Sequence, residues 1–97
     1  MGVIAPQTKF TREFLISRTA TLVSGVIAVT IAEMTTITGA FGVVNAAAPP
    51  GTATSALGFT WSGNVVTIEG YMPTTTTDTT LIDSTGTETI SFFVTGY

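Results

Sequence analysis

The sequence predicts an all-β domain: a small sandwich or barrel of about seven to eight short antiparallel strands, with an extended N-terminal arm. Three observations lead to this prediction. Runs rich in valine, isoleucine, threonine and phenylalanine recur along the chain, and apolar and polar residues alternate within them. Clusters of glycine, proline, serine and threonine separate the runs. No segment combines helical periodicity with capping residues.

The first residues predict an arm rather than a strand or helix. Residues 1–9 have no periodicity, and Pro6 among them disfavours helix at the residue before it. A single domain of residues 10–97 is expected to follow. All three basic residues and one acid lie within the first eighteen positions, which gives this segment a net charge of +2. The other five acids give the remainder −5. The simpler interpretation is a few solubilising surface charges; the alternative is attraction between the arm of one copy and the body of a neighbour.

Strands are predicted throughout the first half of the domain. Residues 10–17 form the first predicted strand. The alternating run at 20–32 predicts two strands separated by a turn or bulge at Gly25. A threonine-rich strand is expected at 35–44. The run at 19–32 is uncharged, but its fourteen residues are too few for a membrane helix and rich in β-branched types, which favour strands.

The second half predicts two loops and two hairpins. Residues 46–56 and 73–80 are loops by composition, because one contains two consecutive prolines and the other is a threonine tract. Short glycine-containing connections mark the turns of the hairpins. The predicted hairpin strands are residues 57–61 with 65–72, and 79–83 with 87–95. In the last of these strands, Ile90, Phe92 and Val94 are expected on one face, and Phe93 on the other with Thr89 and Thr95.

Composition excludes several functional classes. Only 9% of the 97 residues are charged, compared with about 25% in ordinary soluble domains. The chain has no cysteine and no histidine, which excludes disulfides, thiolate zinc sites, cysteine nucleophiles and histidine-based triads. Three basic residues do not make a surface that follows nucleic-acid phosphates. We therefore expect a non-enzymatic protein with no catalytic residues, no metal, no cofactor, and no nucleic-acid or membrane partner.

One group of aromatic residues has two interpretations. Phe59 and Trp61 are two positions apart on a predicted strand and share a face, and Tyr71 is expected near them across the hairpin. Such a platform can stack on a sugar ring, but aromatic groups of this kind more often form part of a core. The core interpretation is the one we favour.

The predicted surface is unusual for a β protein. Its outward positions must be mostly threonine, serine, alanine and glycine, and lysine is absent after Lys9. Natural β proteins normally protect exposed strand edges with lysine, proline or inward-pointing charges. We therefore expect the edges and faces of this domain to pack against other protein chains. Threonine suits such contacts because it is β-branched and loses less on desolvation than a charged residue.

These features together resemble the small structural proteins of tailed-phage virions, in particular capsid decoration or cement proteins. The resemblance rests on a short threonine-, glycine- and alanine-rich all-β chain with an arm, which ends in the strand sequence ISFFVTGY. It implies a homo-oligomer on the capsid surface, with a trimer favoured, that bridges subunits of the major capsid protein and stabilises the shell. Within the arm region, the residues expected to contact a partner are Lys9, Phe10, Arg12 and Phe14.

Two alternatives remain open. The chain could be a secreted or cell-surface carbohydrate-binding sandwich that uses Trp61. It could also be a subunit of a filament or tail tube, in which the same kind of contact repeats with open symmetry.

Overall fold

The computed structural model describes residues 12–45, 53–75 and 80–97. These residues contain no helix and form seven strands, which confirms the predicted all-β class. The predicted arm at 1–9, and most of the two predicted loops, lie outside the described residues. The strands are β1 (Phe14–Thr21), β2 (Val26–Thr30), β3 (Ile37–Val44), β4 (Ala56–Ser62), β5 (Val65–Pro73), β6 (Leu81–Asp83) and β7 (Thr89–Gly96).

The strands form two antiparallel sheets that pack as a sandwich. Sheet A has the order β1-β7-β3, so the last strand is its centre. Sheet B has the order β2-β5-β4, and β6 also pairs with β5. Tyr71 of β5 pairs with Ala56 of β4 and with Asp83 of β6. The short β6 therefore lies beside β5 on the same side as β2.

The core lies between the two sheets and follows from alternation along their central strands. Ile90, Phe92 and Val94 of β7 are fully buried, as are Val66 and Ile68 of β5. Burial of each such side chain stabilises the fold by on the order of 2 kcal/mol. The face of β7 that carries Ile90, Phe92 and Val94 was predicted correctly from the sequence. Connecting segments and the start of β3 complete the core with Leu22, Ile31, Met34 and Ile37.

The hairpin of β4 and β5 has the predicted position. Ser62 pairs with Val65, which leaves Gly63 and Asn64 as a two-residue loop. Gly63 has a φ of 58°, and glycine with positive φ at the first loop position is typical of a type II′ turn. The twist of this turn matches that of the flanking strands, so local sequence is sufficient to specify the hairpin.

Three predicted elements differ from the structure. The separate strand predicted before Gly25 does not form, because residues 20 and 21 are the end of β1 and the chain then crosses to the other sheet. The first strand is β1 at Phe14–Thr21, four positions later than predicted, because Ser17, Arg18 and Thr19 all continue the ladder with β7. The predicted final hairpin is wrong: β6 pairs with β5, whereas β7 pairs with β1 and β3. β6 has three residues and cannot pair along the eight residues of β7, which instead finds two eight-residue partners.

Two of the four connections that cross between the sheets touch each other. One crossing follows β1 and contains Gly25; the other joins β6 to β7 and contains Ser84 and Gly86. The amide of Gly25 donates to the Gly86 carbonyl at 2.9 Å, and the Gly70 amide donates to the Gly25 carbonyl at 2.7 Å. Gly25 has a φ of 81°, and a Cβ there would overlap the Ser84 carbonyl. The contact of the two crossings therefore requires glycine at this position.

Candidate functional site

The described structure includes part of the predicted arm contact. Lys9 and Phe10 lie outside the described residues. Arg12 is exposed just before β1, and Phe14, the first residue of β1, has 42% of its surface exposed. Phe14 pairs with Gly96, so it lies at one end of sheet A. A partner contact by these residues stays a prediction.

The three aromatic residues of the predicted platform lie on two different faces of sheet B. Phe59 and Trp61 pair with fully buried residues of β5, so both lie on the core-facing side of the sheet. Trp61 is still 42% exposed because β4 is an edge strand. Tyr71 has the opposite parity, and its ring lies against Gly58 on the outer side. The structure therefore brings Phe59 and Trp61 together but not with Tyr71.

The outer face of sheet A is the most distinctive surface of the described chain. Since alternate residues of β7 are buried in the core, the residues between them point away from it, and so do their partners on β1 and β3. We call this surface the A face. It consists of Leu15, Ser17, Thr19 and Thr21 from β1, Thr89, Ser91, Phe93 and Thr95 from β7, and Gly39, Phe41 and Val43 from β3.

Large apolar side chains occupy the middle of the A face. Phe41 and Phe93 are cross-strand partners, and their rings stack with centroids 5.1 Å apart and planes within 9°. More than half of the surface of Phe41 is exposed, at 57%, as is that of Val43 at 63% and Leu15 at 58%. Aromatic pairs of this kind contribute about 0.5–1.5 kcal/mol beyond the area that they bury. The stack therefore holds two rings in place on a surface that stays open to solvent.

Four polar side chains on the A face, those of Thr21, Thr89, Ser91 and Thr95, are hydrogen-bonded within the face or at its border. The hydroxyls of Thr21 and Thr89 lie 3.4 Å apart. Asn45, next to the end of β3, donates through Nδ2 to Ser91 Oγ at 2.8 Å. Thr95 Oγ1 donates to the Gly39 carbonyl at 3.4 Å. Groups that keep a hydrogen-bond partner lose less when water is removed, so this face can be covered by another protein at low desolvation cost.

Charge is confined to the border of the A face. Glu13 precedes β1 and accepts a hydrogen bond from Thr38. Arg18 has the opposite parity to the A face and forms an exposed ion pair with Glu33. Hydrogen bonding by its own backbone amide, and then by Arg18, holds the pKa of Glu33 below its ordinary value. The outer side of sheet B differs, because Glu69 lies in the middle of its central strand.

A second cluster connects the loop before β4 to the crossing between β6 and β7. Thr54 Oγ1 donates to Glu88 Oε1 at 2.6 Å, and the Gly86 amide donates to Ser84 Oγ at 2.9 Å. The Thr54 and Ser84 hydroxyls also bond to each other. Since each hydroxyl has one proton, the direction is determined: Gly86 donates to Ser84, Ser84 to Thr54, and Thr54 to the Glu88 carboxylate.

The chemistry of this cluster is structural. The hydrogen bond from Thr54 lowers the pKa of Glu88, against the opposing effect of desolvation, so Glu88 is held as a carboxylate and is not a proton donor near neutral pH. Thr54 is fully buried and Ser84 is 3% exposed, so neither hydroxyl can be reached by a substrate. The cluster could not be predicted from the sequence, since threonine and serine occur throughout this chain and nothing local distinguishes Thr54 and Ser84.

A cavity of about 450 Å³ lies between the end of β3 and the start of β4. Its walls include Gly42 and Val44 on one side and Ser55 and Leu57 on the other. None of the described residues that line it has a titratable side chain. The cavity therefore offers shape and hydroxyl groups, but no acid, base or metal ligand.

The described residues contain no group of three or more acidic, histidine or cysteine side chains that could hold a metal ion. Within the same part of the chain, no helix has the length and apolar character needed to cross a membrane. Comparisons with protein-family models, with curated proteins and with solved structures found no match to this chain.

Proposed function

We propose that this chain is a non-enzymatic structural protein that binds other protein chains through the A face. The observation that carries this proposal is the combination on one surface of half-exposed apolar side chains, neutral polar groups of which several are hydrogen-bonded, and no charge. Antiparallel sheets with one solvated face normally alternate apolar residues directed to the core with polar residues directed to water. On the A face, large apolar side chains occupy several of the outward positions. A sheet face without charge is typical of a surface that is covered by another protein.

The A face is small compared with the interfaces of stable protein complexes. Strands of eight residues at ~3.3 Å per residue, three strands wide at ~4.8 Å spacing, give a face of roughly 26 by 14 Å, or about 370 Å². A standard interface buries about 800 Å² on each partner. The A face alone supplies less than half of that, so a lasting attachment needs further contacts. The arm residues Lys9, Phe10, Arg12 and Phe14 continue directly from β1 and are the proposed source of these contacts.

A role in a virion is the specific form of this proposal. A capsid decoration or cement protein binds as many copies at once, so individually weak contacts add through multivalency. We propose that the chain lies on the capsid surface as a homo-oligomer, with a trimer favoured by the resemblance, and bridges neighbouring subunits of the major capsid protein. The low charge of the chain and the uncharged A face support this assignment, because both suit a surface that is covered permanently.

The proposed role is tested by determining whether the protein is part of virus particles, and on which part of the particle it lies. An antibody to this chain is used on density-gradient fractions from a culture of the organism that encodes it. Co-sedimentation with DNA-containing particles, and immunogold label on their heads, is the expected result. Label on tails or filaments would replace the cement role by the tube or filament alternative.

A separate measurement addresses the carbohydrate alternative. Trp61 fluorescence is recorded while polysaccharides are added, with Trp61→Phe as the control for the signal. No change is expected, because Trp61 lies on the core-facing side of β4 and is not joined to Tyr71. Saturable binding, with the antigen absent from particles, would overturn the proposed function.

A further inference from the structure

The partner of the A face can be a second copy of this chain or a different protein. The distribution of charge on the two sheets favours a second copy. Its residues carry no ionisable side chain, so two A faces can approach without like-charge repulsion. The outer face of sheet B carries Glu69 at its centre, opposite Gly58 and Val26, and Asp83 near Tyr71. Two copies that met through sheet B would bring equal charges together, which is destabilising.

We infer that two copies of this chain pair face to face through their A faces, about a two-fold axis that runs along β7. The inference rests on the proposed function, since it names the partner on the surface that the proposal uses. It departs from the trimer that the resemblance favours. A two-fold interface is self-complementary, so each residue on β1 meets a residue on β3 of the second copy.

The side-chain sizes on the A face fit this symmetry. In the row through Phe93, the β3 position is the large Phe41 and the β1 position is the small Ser17. In the next row, Val43 lies on β3 and Thr19 on β1. Rotation about β7 places Phe41 of each copy over Ser17 of the other, so a large side chain meets a small one on both sides of the axis.

In the row through Thr95, the large side chain lies on β1 and the small residue on β3, and the two still meet across the axis. There the β1 position is Leu15, the β3 position is Gly39, and Thr95 lies between them. The same rotation places Leu15 over Gly39 of the second copy. In each of the three rows, the larger side chain of one outer strand meets a smaller side chain of the second copy, so the outer strands have projections and recesses that match their own rotated image. Interdigitation of this kind is how sheet faces pack about 10 Å apart.

The expected pairing is weak and depends on concentration. About 370 Å² from each copy gives roughly 750 Å² in total, below the 1,200–2,000 Å² of stable interfaces. We therefore expect monomers when dilute and dimers at high concentration. Many copies held close together on one particle would favour the pair in the same way.

The first measurement is the mass in solution as a function of concentration. Analytical ultracentrifugation is expected to show a rise from the 10.0 kDa of one chain to twice that value. Phe41→Glu places a charge in the interface and is expected to weaken dimerisation by at least tenfold. Thr60→Glu adds the same charge on the outer face of sheet B and is expected to leave dimerisation unchanged.

The second measurement identifies the face without disturbing it. The chain has no cysteine, so Ser91→Cys introduces a single thiol close to the proposed axis. Sheets that pack ~10 Å apart bring the two thiols within reach of a short bis-maleimide linker. The control, Thr67→Cys, lies on the outer side of sheet B. Its two copies would be about 30 Å apart, since three intersheet spacings separate them. Cross-linking is therefore expected for Ser91→Cys alone.

The outcomes separate this inference from the proposed function. A trimer, or a dimer that forms equally well with Phe41→Glu, would overturn the two-fold pairing. A monomer at all concentrations that still co-sediments with particles would also overturn it, and would leave the proposed function standing with a different protein on the A face. A dimer cross-linked through Ser91→Cys but absent from particles would support the pairing and overturn the virion role.

Discussion

Replacement of Thr54 by valine removes one hydroxyl from a fully buried position and keeps the shape of the side chain. That hydroxyl donates to Glu88 Oε1 at 2.6 Å and accepts the hydrogen bond from Ser84. The shape matters as well, because the Thr54 methyl packs against Gly70, where an added Cβ would meet it at 2.8 Å. Thr54→Val therefore isolates the polar contribution of the chain of hydrogen bonds.

The magnitude follows from the two contacts that are lost. A hydrogen bond to a charged group contributes about 1.5–3 kcal/mol, and a buried hydroxyl left without its acceptor costs a further ~1–3 kcal/mol. We expect the free energy of unfolding to fall by about 3 kcal/mol. For a domain of this size each 1 kcal/mol lowers Tm by roughly 4–8 °C, so the melting temperature should fall by about 12–24 °C.

Urea unfolding followed by Trp61 fluorescence measures this change directly. With an m-value of about 2 kcal/mol/M, the midpoint should move by about 1.5 M. Thr60→Val is the matched control, because Thr60 is exposed on β4, and we expect its effect to stay within about 0.5 kcal/mol. The deficit of Thr54→Val should also shrink in acid, where Glu88 is protonated. An unfolding free energy within 0.5 kcal/mol of the wild type at pH 7 would refute the assigned direction and importance of the hydrogen bonds.

Three further predictions follow from the same structure. Gly25→Ala should lower the unfolding free energy by at least ~2 kcal/mol in urea melts, because the φ of 81° and the Ser84 carbonyl leave no room for a Cβ; an unchanged midpoint would contradict this. Because the pKa of Glu88 is lowered in the fold, its carboxylate stabilises the protein at pH values above the ordinary pKa of 4.5, and this stability is lost as pH falls through the folded pKa. Glu88→Gln should be less stable than the wild type at pH 7, and its Tm in thermal melts should vary less with pH across that range. Arg18→Ala should leave Tm unchanged in low and high salt, since its ion pair is exposed; a salt-dependent loss would show that the pair matters.

Part of the candidate site could be predicted from the sequence. The alternation of the last strand placed Phe93 opposite to Ile90, Phe92 and Val94, and the structure confirms this. Its partner Phe41 could not be predicted, because the two residues are fifty-two positions apart and meet only through the register of β3 with β7. The low charge predicted an exposed neutral surface but did not indicate which sheet would carry it.

For the three aromatic residues of sheet B as well, one part of the arrangement could be predicted from the sequence and another could not. Two positions on one strand share a face, so the common side of Phe59 and Trp61 followed from spacing alone. The side of Tyr71 depends on the register across the hairpin, and a shift of one residue moves a side chain to the opposite face. The type II′ turn at Gly63 sets that register, which places Tyr71 on the outer side with Gly58.

What the sequence by itself determined about this protein is local: the all-β class, the hairpin of β4 and β5, and the apolar face of β7. These depend on a side-chain period of two and on turn residues, both of which act over a few positions. Only the tertiary structure decided that β7 leaves β6 and enters sheet A between β1 and β3. The pairing of β7 is determined by the length of the strands available to it and by burial of its apolar face between the two sheets. It also creates the A face, because three strands from distant parts of the chain must meet before their neutral outer residues form one surface.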